Sequence, residues 1–512
     1  MVNAPLPNSL GPEEFDDIQG NILRGYRSGL VRHLILKVVD RKKARLFLKA
    51  AAGVPADLRA GAASSARHAQ PSGVPAITRA TLWNSAGGTR PESFFNIGIT
   101  CEGLRALGAS SASLKTFPPE FREGMSSRAG KLGDFGESAA AQWPTPFDQP
   151  DDVHLIASIY ANDDAALGRV ETAIGDLGQH GFERIGVREG RGLADGKVFF
   201  GYRDGISQPN FGEEVNSRRS SEQQVRDPLG TVLLGYETGL EGLVFRVPQP
   251  EALGRNGSFN AFRVLAQDVF AFEAFLDAAA KALMDSFLHP KGSIADVPQA
   301  LPEWLARFAA DRQTPYLREF VAAQMCGRWR DGVPFETEPD RDPFNSPTLN
   351  AGEERHRLFT NFDYGPDSVC PAGAHIRRGN PRGGQIVQRA ANYTRRIVRR
   401  GMAYGPDFTP GQPKDGEERG LLGNFICASL SSQFEAVMSD WINLGLQDPT
   451  ITGDNDPLLG ANSAETSRFV LKLPGGAKFP LHGLPRFIQT RGGAYTFLPG
   501  LTAIRYLASL TT

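Results

Sequence analysis

Residues 201–210 read GYRDGISQPN, an Arg-Asp pair held between two glycines and followed by Ser, Gln and Pro. Gly, Asp, Asn and Pro are the common turn formers, so the stretch reads first as a surface turn. It follows KVFF (197–200), an apolar run that reads as the end of a strand. Two glycines beside one carboxylate also suit a second role, because they let the backbone bring Asp204 close to something flat and bulky. A second stretch with chemical potential is CPAGAHIRRGNPR (370–382), in which His375 lies among Pro and small residues that leave room on one side. Small neighbours beside an imidazole are what a large planar ligand would require, against the commoner role of a satisfied core or surface histidine. His33, His68, His180 and His289 stand at a strand start, in a loop and at helix ends, where the structural role is the expectation.

Downstream of His375 the charge is one-sided, with eight arginines and no Asp or Glu between Arg377 and Arg400. Three roles fit: a solvated basic face, a phosphate-binding patch, or an anion-holding site in which one arginine faces a developing negative charge. The aromatic interleaving expected for single-stranded nucleic acid is thin there, with Tyr393 alone.

These residues need elements to position them. Residues 33–52 switch from a dense apolar run to helical spacing, which predicts a strand and then a helix. The same switch recurs at 93–108, at 153–178, where Asp163 or Asp164 caps the helix, and at 260–287. Strand-helix units in both halves, with uneven gaps, predict α+β sandwiches rather than a doubly wound nucleotide fold. No GxGxxG or GxxxxGK[ST] is present, so nucleotide binding is unsupported. Residues 54–78 read as a surface loop, 109–150 as a turn-rich segment with Phe and Trp anchors, and 210–235 as the break between domains.

A chain of 512 residues is long for one core, so two domains are expected. A net charge of -1 favours neither nucleic acid nor an anionic membrane. Cys101, Cys326, Cys370 and Cys427 lack disulfide-scaffold or zinc spacing and read as buried free thiols in a reducing compartment. The N-terminal residues carry no secretory pattern, and no apolar run approaches ~18 residues, so a cytoplasmic protein is expected.

GYRDGISQP resembles the distal GxxDG signature of the dye-decolorizing peroxidases, which are heme enzymes. Five further stretches resemble family segments in the same order: FDDIQGNILRGY (15–26), MCGRWRDGVPF (325–335), FDYGPDSVCPAGAHIRRGNPR (362–382), RRGMAYGP (399–406) and RGGAYTFLPG (491–500). The resemblance implies two ferredoxin-like domains of the dimeric α+β barrel type, here 1–220 and 221–512. One heme b per chain would be held mainly by the second. By the same resemblance His375 matches the axial iron ligand, Asp204 the distal acid/base and Arg399 the distal arginine. Arg377 and Arg382 match positions suited to heme propionates, and Leu422 and Phe425 would line the distal pocket. The carboxylate that orients the axial histidine is to be sought among Asp448, Asp454, Asp456 and Glu435. Hydrogen peroxide and small aromatic electron donors are the implied partners, with no nucleic acid or membrane. Tyr393, Tyr404, Trp329 and Trp441 are relay candidates by residue type. Two other readings remain, a heme-handling or iron-releasing protein and a non-enzymatic basic-patch binder.

Overall fold

The structure, a computed structural model, describes residues 9–53, 74–83, 90–212, 226–240, 242–288, 301–345, 359–360, 362–383 and 394–511. The expected 220/221 domain division and most of the 54–78 loop lie outside the described residues.

The first strand-helix unit is β1 (Leu30–Val38) followed by α1 (Arg41–Ala52), whose first turn is capped by Asp40 accepting from the Lys42 and Lys43 N–H groups. β2 (Ser93–Ile99) and β3 (Leu155–Ala161) come next. Asp163 then caps α2 (Asp164–Ile174) through the Ala166 N–H, and β4 (Phe182–Arg191) completes the unit. These four strands pair antiparallel in the order β4-β1-β3-β2, which is the ferredoxin-like arrangement.

The second unit begins with β5 (Ser258–Gln267), buried along its whole length, and α3 (Val269–Leu288). α4 (Ala310–Cys326) and the short α5 (His375–Gly379) lead to β6 (Val398–Tyr404) and β7 (Gly420–Cys427). A small hairpin, β8 (Arg468–Lys472) and β9 (Lys478–His482), precedes β10 (Ile488–Leu498). The order β10-β5-β7-β6 repeats the arrangement of the first unit. The halves join where Phe497 of β10 pairs with Ile99 of β2, giving one antiparallel sheet of eight strands. Its two end strands approach each other, since a Cβ on Gly190 of β4 would meet the Ala403 carbonyl of β6 at 2.9 Å. α6 (Leu501–Ser509) crosses back to the first unit, where Arg505 donates to the Ala52 and Gly53 carbonyls.

Two apolar cores matter to the site. One lies against the sheet and takes in Phe94, Phe262, Phe497 and Leu422. The other packs α3 against α4 around Phe272, Phe320 and Trp329, and it also receives Phe199, Phe200 and Tyr202. This second core explains a departure from expectation. KVFF does not end a strand; Val198 receives and donates the bonds of a tight turn, accepting from the Gly201 N–H at 2.7 Å and donating to the Tyr202 carbonyl at 2.9 Å. Consecutive Phe199 and Phe200 both enter this core from the turn. The 109–150 segment is a series of short helical turns whose Phe117, Phe121, Trp143 and Phe147 are buried. Its contribution is packing. Among the described residues no helix is long and apolar enough to cross a membrane.

Candidate active site

Asp204 is presented by a loop pinned at both sides. Tyr202 donates from its hydroxyl to the Ala322 carbonyl at 2.7 Å, Arg203 N–H donates to the Arg330 carbonyl at 3.0 Å, and Asp204 N–H donates to the Gly196 carbonyl at 2.9 Å. Gly201 (φ 81°) and Gly205 (φ 68°) adopt left-handed conformations that cost other residues energy. A Cβ added to Gly205 would meet nothing within 4 Å, so that glycine faces open space.

β6 brings Arg399 to the same place. Its Nη1 lies 3.4 Å from Asp204 Oδ1, and its Nη2 donates to the Ser207 carbonyl at 3.1 Å. Both side chains remain 40% exposed, so neither is consumed by the pair and each can face a ligand. They line a cavity of about 710 Å³ together with Gly205, Val398, Arg400 and Leu421. Arg400 is half-buried and, among the described residues, donates to the main-chain carbonyls of Asn21, Ile22 and Arg399; desolvation draws its pKa down to about 10. It stays cationic at neutrality and adds to the positive wall.

His375 opens α5, and its Nδ1 lies 2.9 Å from Asp456 Oδ2. Asp456 is fully buried, its other oxygen accepting from the Leu458 and Leu459 N–H groups at 2.9 and 2.8 Å. Burial disfavours the imidazolium, but the Asp456 charge and hydrogen bond outweigh it and hold the His375 pKa above its ordinary value. Burial likewise works against the Asp456 carboxylate, yet the His375 charge and hydrogen bond keep its pKa below the usual range. An ionised Asp456 accepts from Nδ1–H, which directs the free lone pair of His375 to Nε2. His375 is outside the cavity lining, though the charges of Asp204 and Arg399 both act on it. α5 is itself fixed by the buried Arg378, which donates to the Gly373, Trp441 and Asp454 carbonyls.

Of the four carboxylates considered for orienting His375, Asp456 takes that place. Asp448 caps the turn at Thr450, Asp454 pairs with Arg468, and Glu435 is held by Arg128 and Tyr495. Arg377 donates to the Cys370 carbonyl and stacks over Tyr364 at 4.8 Å; Arg382 donates to the Thr360 and Phe362 carbonyls. Leu422 turns into the sheet core and its neighbour Leu421 lines the cavity, as strand alternation requires. Phe425 packs against Phe434. Trp329 and Trp441 are buried, the Tyr404 hydroxyl donates to Glu418, and Tyr393 lies outside the described residues. The described arginines between 377 and 400 do not form one basic face. Arg378 is enclosed and Arg400 is half-buried at the cavity wall, while Arg395, Arg396 and Arg399 pair with Asp440, Asp227 and Asp204. Sequence reasoning missed Gln208, whose side chain bonds the main chain of Arg399. Its place beside GxxDG was the available signal.

No family model matches the chain. A dye-decolorizing peroxidase from Mycetinis scorodonius is 28% identical over 444 residues, covering 82% of this chain and 78% of its own. A multifunctional dye peroxidase from Amycolatopsis sp. is 26% identical over 524 residues, covering 96% of this chain and 95% of its own. The solved structure of a dye-decolorizing peroxidase in complex with 2,6-dimethoxyphenol superposes with a TM-score of 0.72 at 24% identity, over 98% of this chain and 100% of that one. An ancestral D-type dye-decolorizing peroxidase gives a TM-score of 0.73 at 24% identity over 99% of this chain and 100% of that one. The doubled ferredoxin-like sheet is therefore the fold of these solved peroxidase structures, and the relatives matched in sequence are peroxidases. Over nearly its whole length the chain is similar to the dye-decolorizing peroxidases.

Proposed function

We propose that the protein oxidises dyes, phenols and similar small aromatic donors with hydrogen peroxide. Asp204 is its proton carrier, Arg399 its stabilising cation and His375 the ligand of one heme b per chain. The observation that carries this reading is the half-exposed Asp204–Arg399 pair at the cavity wall. Three features support a heme there: the free Nε2 of a carboxylate-locked imidazole, the open space beside Gly205, and the cavity of about 710 Å³. Arg377 belongs to the cofactor-binding set by its place two residues after His375 on α5, with Asp204 and Arg399 on the cavity side.

Heme bound at His375 Nε2 would supply the two-electron reduction of peroxide and the one-electron oxidation of donors. The chain supplies the rest. Asp204 Oδ1 or Oδ2 takes a proton from hydrogen peroxide and returns it to the oxygen that leaves as water. Arg399 remains protonated throughout and stabilises negative charge on that oxygen before the proton arrives. Its 3.4 Å contact with Asp204 keeps both groups on the same small volume without locking them together. Asp456 holds the Nδ1 proton of His375 and so fixes the ring orientation.

The test is steady-state peroxide turnover by the heme-loaded protein with a phenolic donor. Asp204→Asn should lower kcat/KM for peroxide by roughly 10²- to 10⁴-fold. An unchanged value in a heme-retaining variant overturns the role of Asp204. Release of free iron or porphyrin from supplied heme, without donor oxidation, overturns the peroxidase reading itself. We further propose a division of the two units at 220/221, supported by the end of β4 at Arg191 and the start of β5 at Ser258. A cytoplasmic location is supported by four buried free cysteines, and cell fractionation tests it.

A further inference from the structure

We propose that Gln208 is a positioning residue for Arg399, holding the arginine at the distance from Asp204 that peroxide chemistry needs; this rests on the role assigned to Arg399 above. Among the described residues β6 is the last strand of the sheet and is paired with β7 alone. In an antiparallel pair, alternate residues turn both N–H and C=O away from the partner strand. Arg399 is such a residue, and both of its outward groups are taken by one side chain. Its N–H donates to Gln208 Oε1 at 3.0 Å, and its carbonyl accepts from Gln208 Nε2 at 3.0 Å. The primary amide of Gln208 thus stands where the peptide of a ninth strand would stand.

A carboxylate at this position has no donor for the Arg399 carbonyl, and an asparagine amide is one methylene closer to its own backbone. The arrangement bears on the reacting groups because of where Gln208 sits. One loop carries Asp204, the Ser207 carbonyl that accepts from Arg399 Nη2, and the Gln208 amide that clamps the Arg399 main chain. The loop is anchored beyond these residues as well. Asn210 N–H donates to Asp227 Oδ2 at 2.7 Å, and the Asp227 N–H returns a bond to the Asn210 carbonyl at 2.6 Å. Acid and cation are therefore referenced to the same short piece of chain, although they lie 195 positions apart. The Arg399 carbonyl also accepts from Arg400 Nη1 at 3.2 Å, so without the clamp it is the N–H that loses its partner, on an edge-strand backbone carrying a guanidinium on a long, flexible side chain. Small main-chain shifts would then be passed to the reacting centre.

The test replaces Gln208 by Leu and, as a second variant of nearly native shape, by Met. Amide hydrogen exchange over 398–404 is measured with and without heme, alongside kcat/KM for peroxide and KM for the donor. Faster exchange at Arg399 is expected in both variants. A fall in kcat/KM for peroxide of roughly ten- to a hundredfold should accompany it, with the donor KM unchanged. Exchange that stays at the wild-type rate overturns the clamp, and faster exchange with undiminished peroxide turnover overturns its positioning role. Arg399→Leu, measured in parallel, separates the two levels of the argument. If that variant keeps full peroxide turnover, the assigned role of Arg399 is wrong. If it is slow while Gln208→Leu and Gln208→Met are not, only the proposal about Gln208 fails.

Discussion

Replacing Asp456 by Asn should loosen heme far more than it loosens the fold. Asp456 Oδ1 accepts from two main-chain N–H groups, so the carbonyl of an asparagine takes that place and its NH₂ group faces His375. A donor facing Nδ1 requires Nδ1 to be the acceptor, which moves the imidazole proton to Nε2, the nitrogen proposed for iron. A hydrogen bond to a charged group contributes about 1.5–3 kcal/mol, and its loss corresponds to roughly a ten- to hundredfold weaker hold on heme. The folded apoprotein loses less, because the buried carboxylate opposes its own burial and a neutral amide removes that cost. The assay is titration of apoprotein with heme by visible absorbance, paired with urea unfolding of the apoprotein. Nitrogen chemical shifts of His375 report the tautomer. Wild-type heme affinity in a variant whose His375 proton has moved to Nε2 would refute the reasoning. So would an Nδ1 proton retained in the Asn variant.

Three further outcomes follow from particular contacts. His33 is buried against Ser158, Tyr160 and Phe262, and burial pushes its pKa down to about 3. The unfolded chain then binds a proton that the native state does not, so this stability term is present above ~6.5 and is lost as pH falls. The loss reaches about 2 kcal/mol by pH ~5, and urea unfolding of His33→Leu should show a flatter acid limb. Asp134→Ala leaves the buried Arg263 without its two-point partner and should cost about 3–5 kcal/mol in thermal unfolding, a loss largely reversed by adding Arg263→Met. Gly205→Ala meets no neighbouring atom and should cost only the left-handed backbone strain, about 1–2 kcal/mol by denaturant titration.

The strand-helix switches at β1, β2, β3 and β5 and the cap at Asp163 were legible in the sequence because they are effects among near neighbours. Asp204, His375 and Arg399 stood out by residue type and by resemblance, and the structure pairs the first with the third. Local pattern failed where the surroundings decide. KVFF has the composition of a strand, yet a core that admits both phenylalanines bends it into a turn. A run of arginines without acids reads as one basic face, yet the fold sends its members to separate partners. Four carboxylates were equivalent on paper, and only the route of the chain after β7 sets Asp456 under His375, 81 positions away. The sequence by itself determined which elements form and which side chains have the chemistry. The doubled sheet order decided which of them meet, because β6 as an edge strand offers its outward main-chain groups to the Asp204 loop.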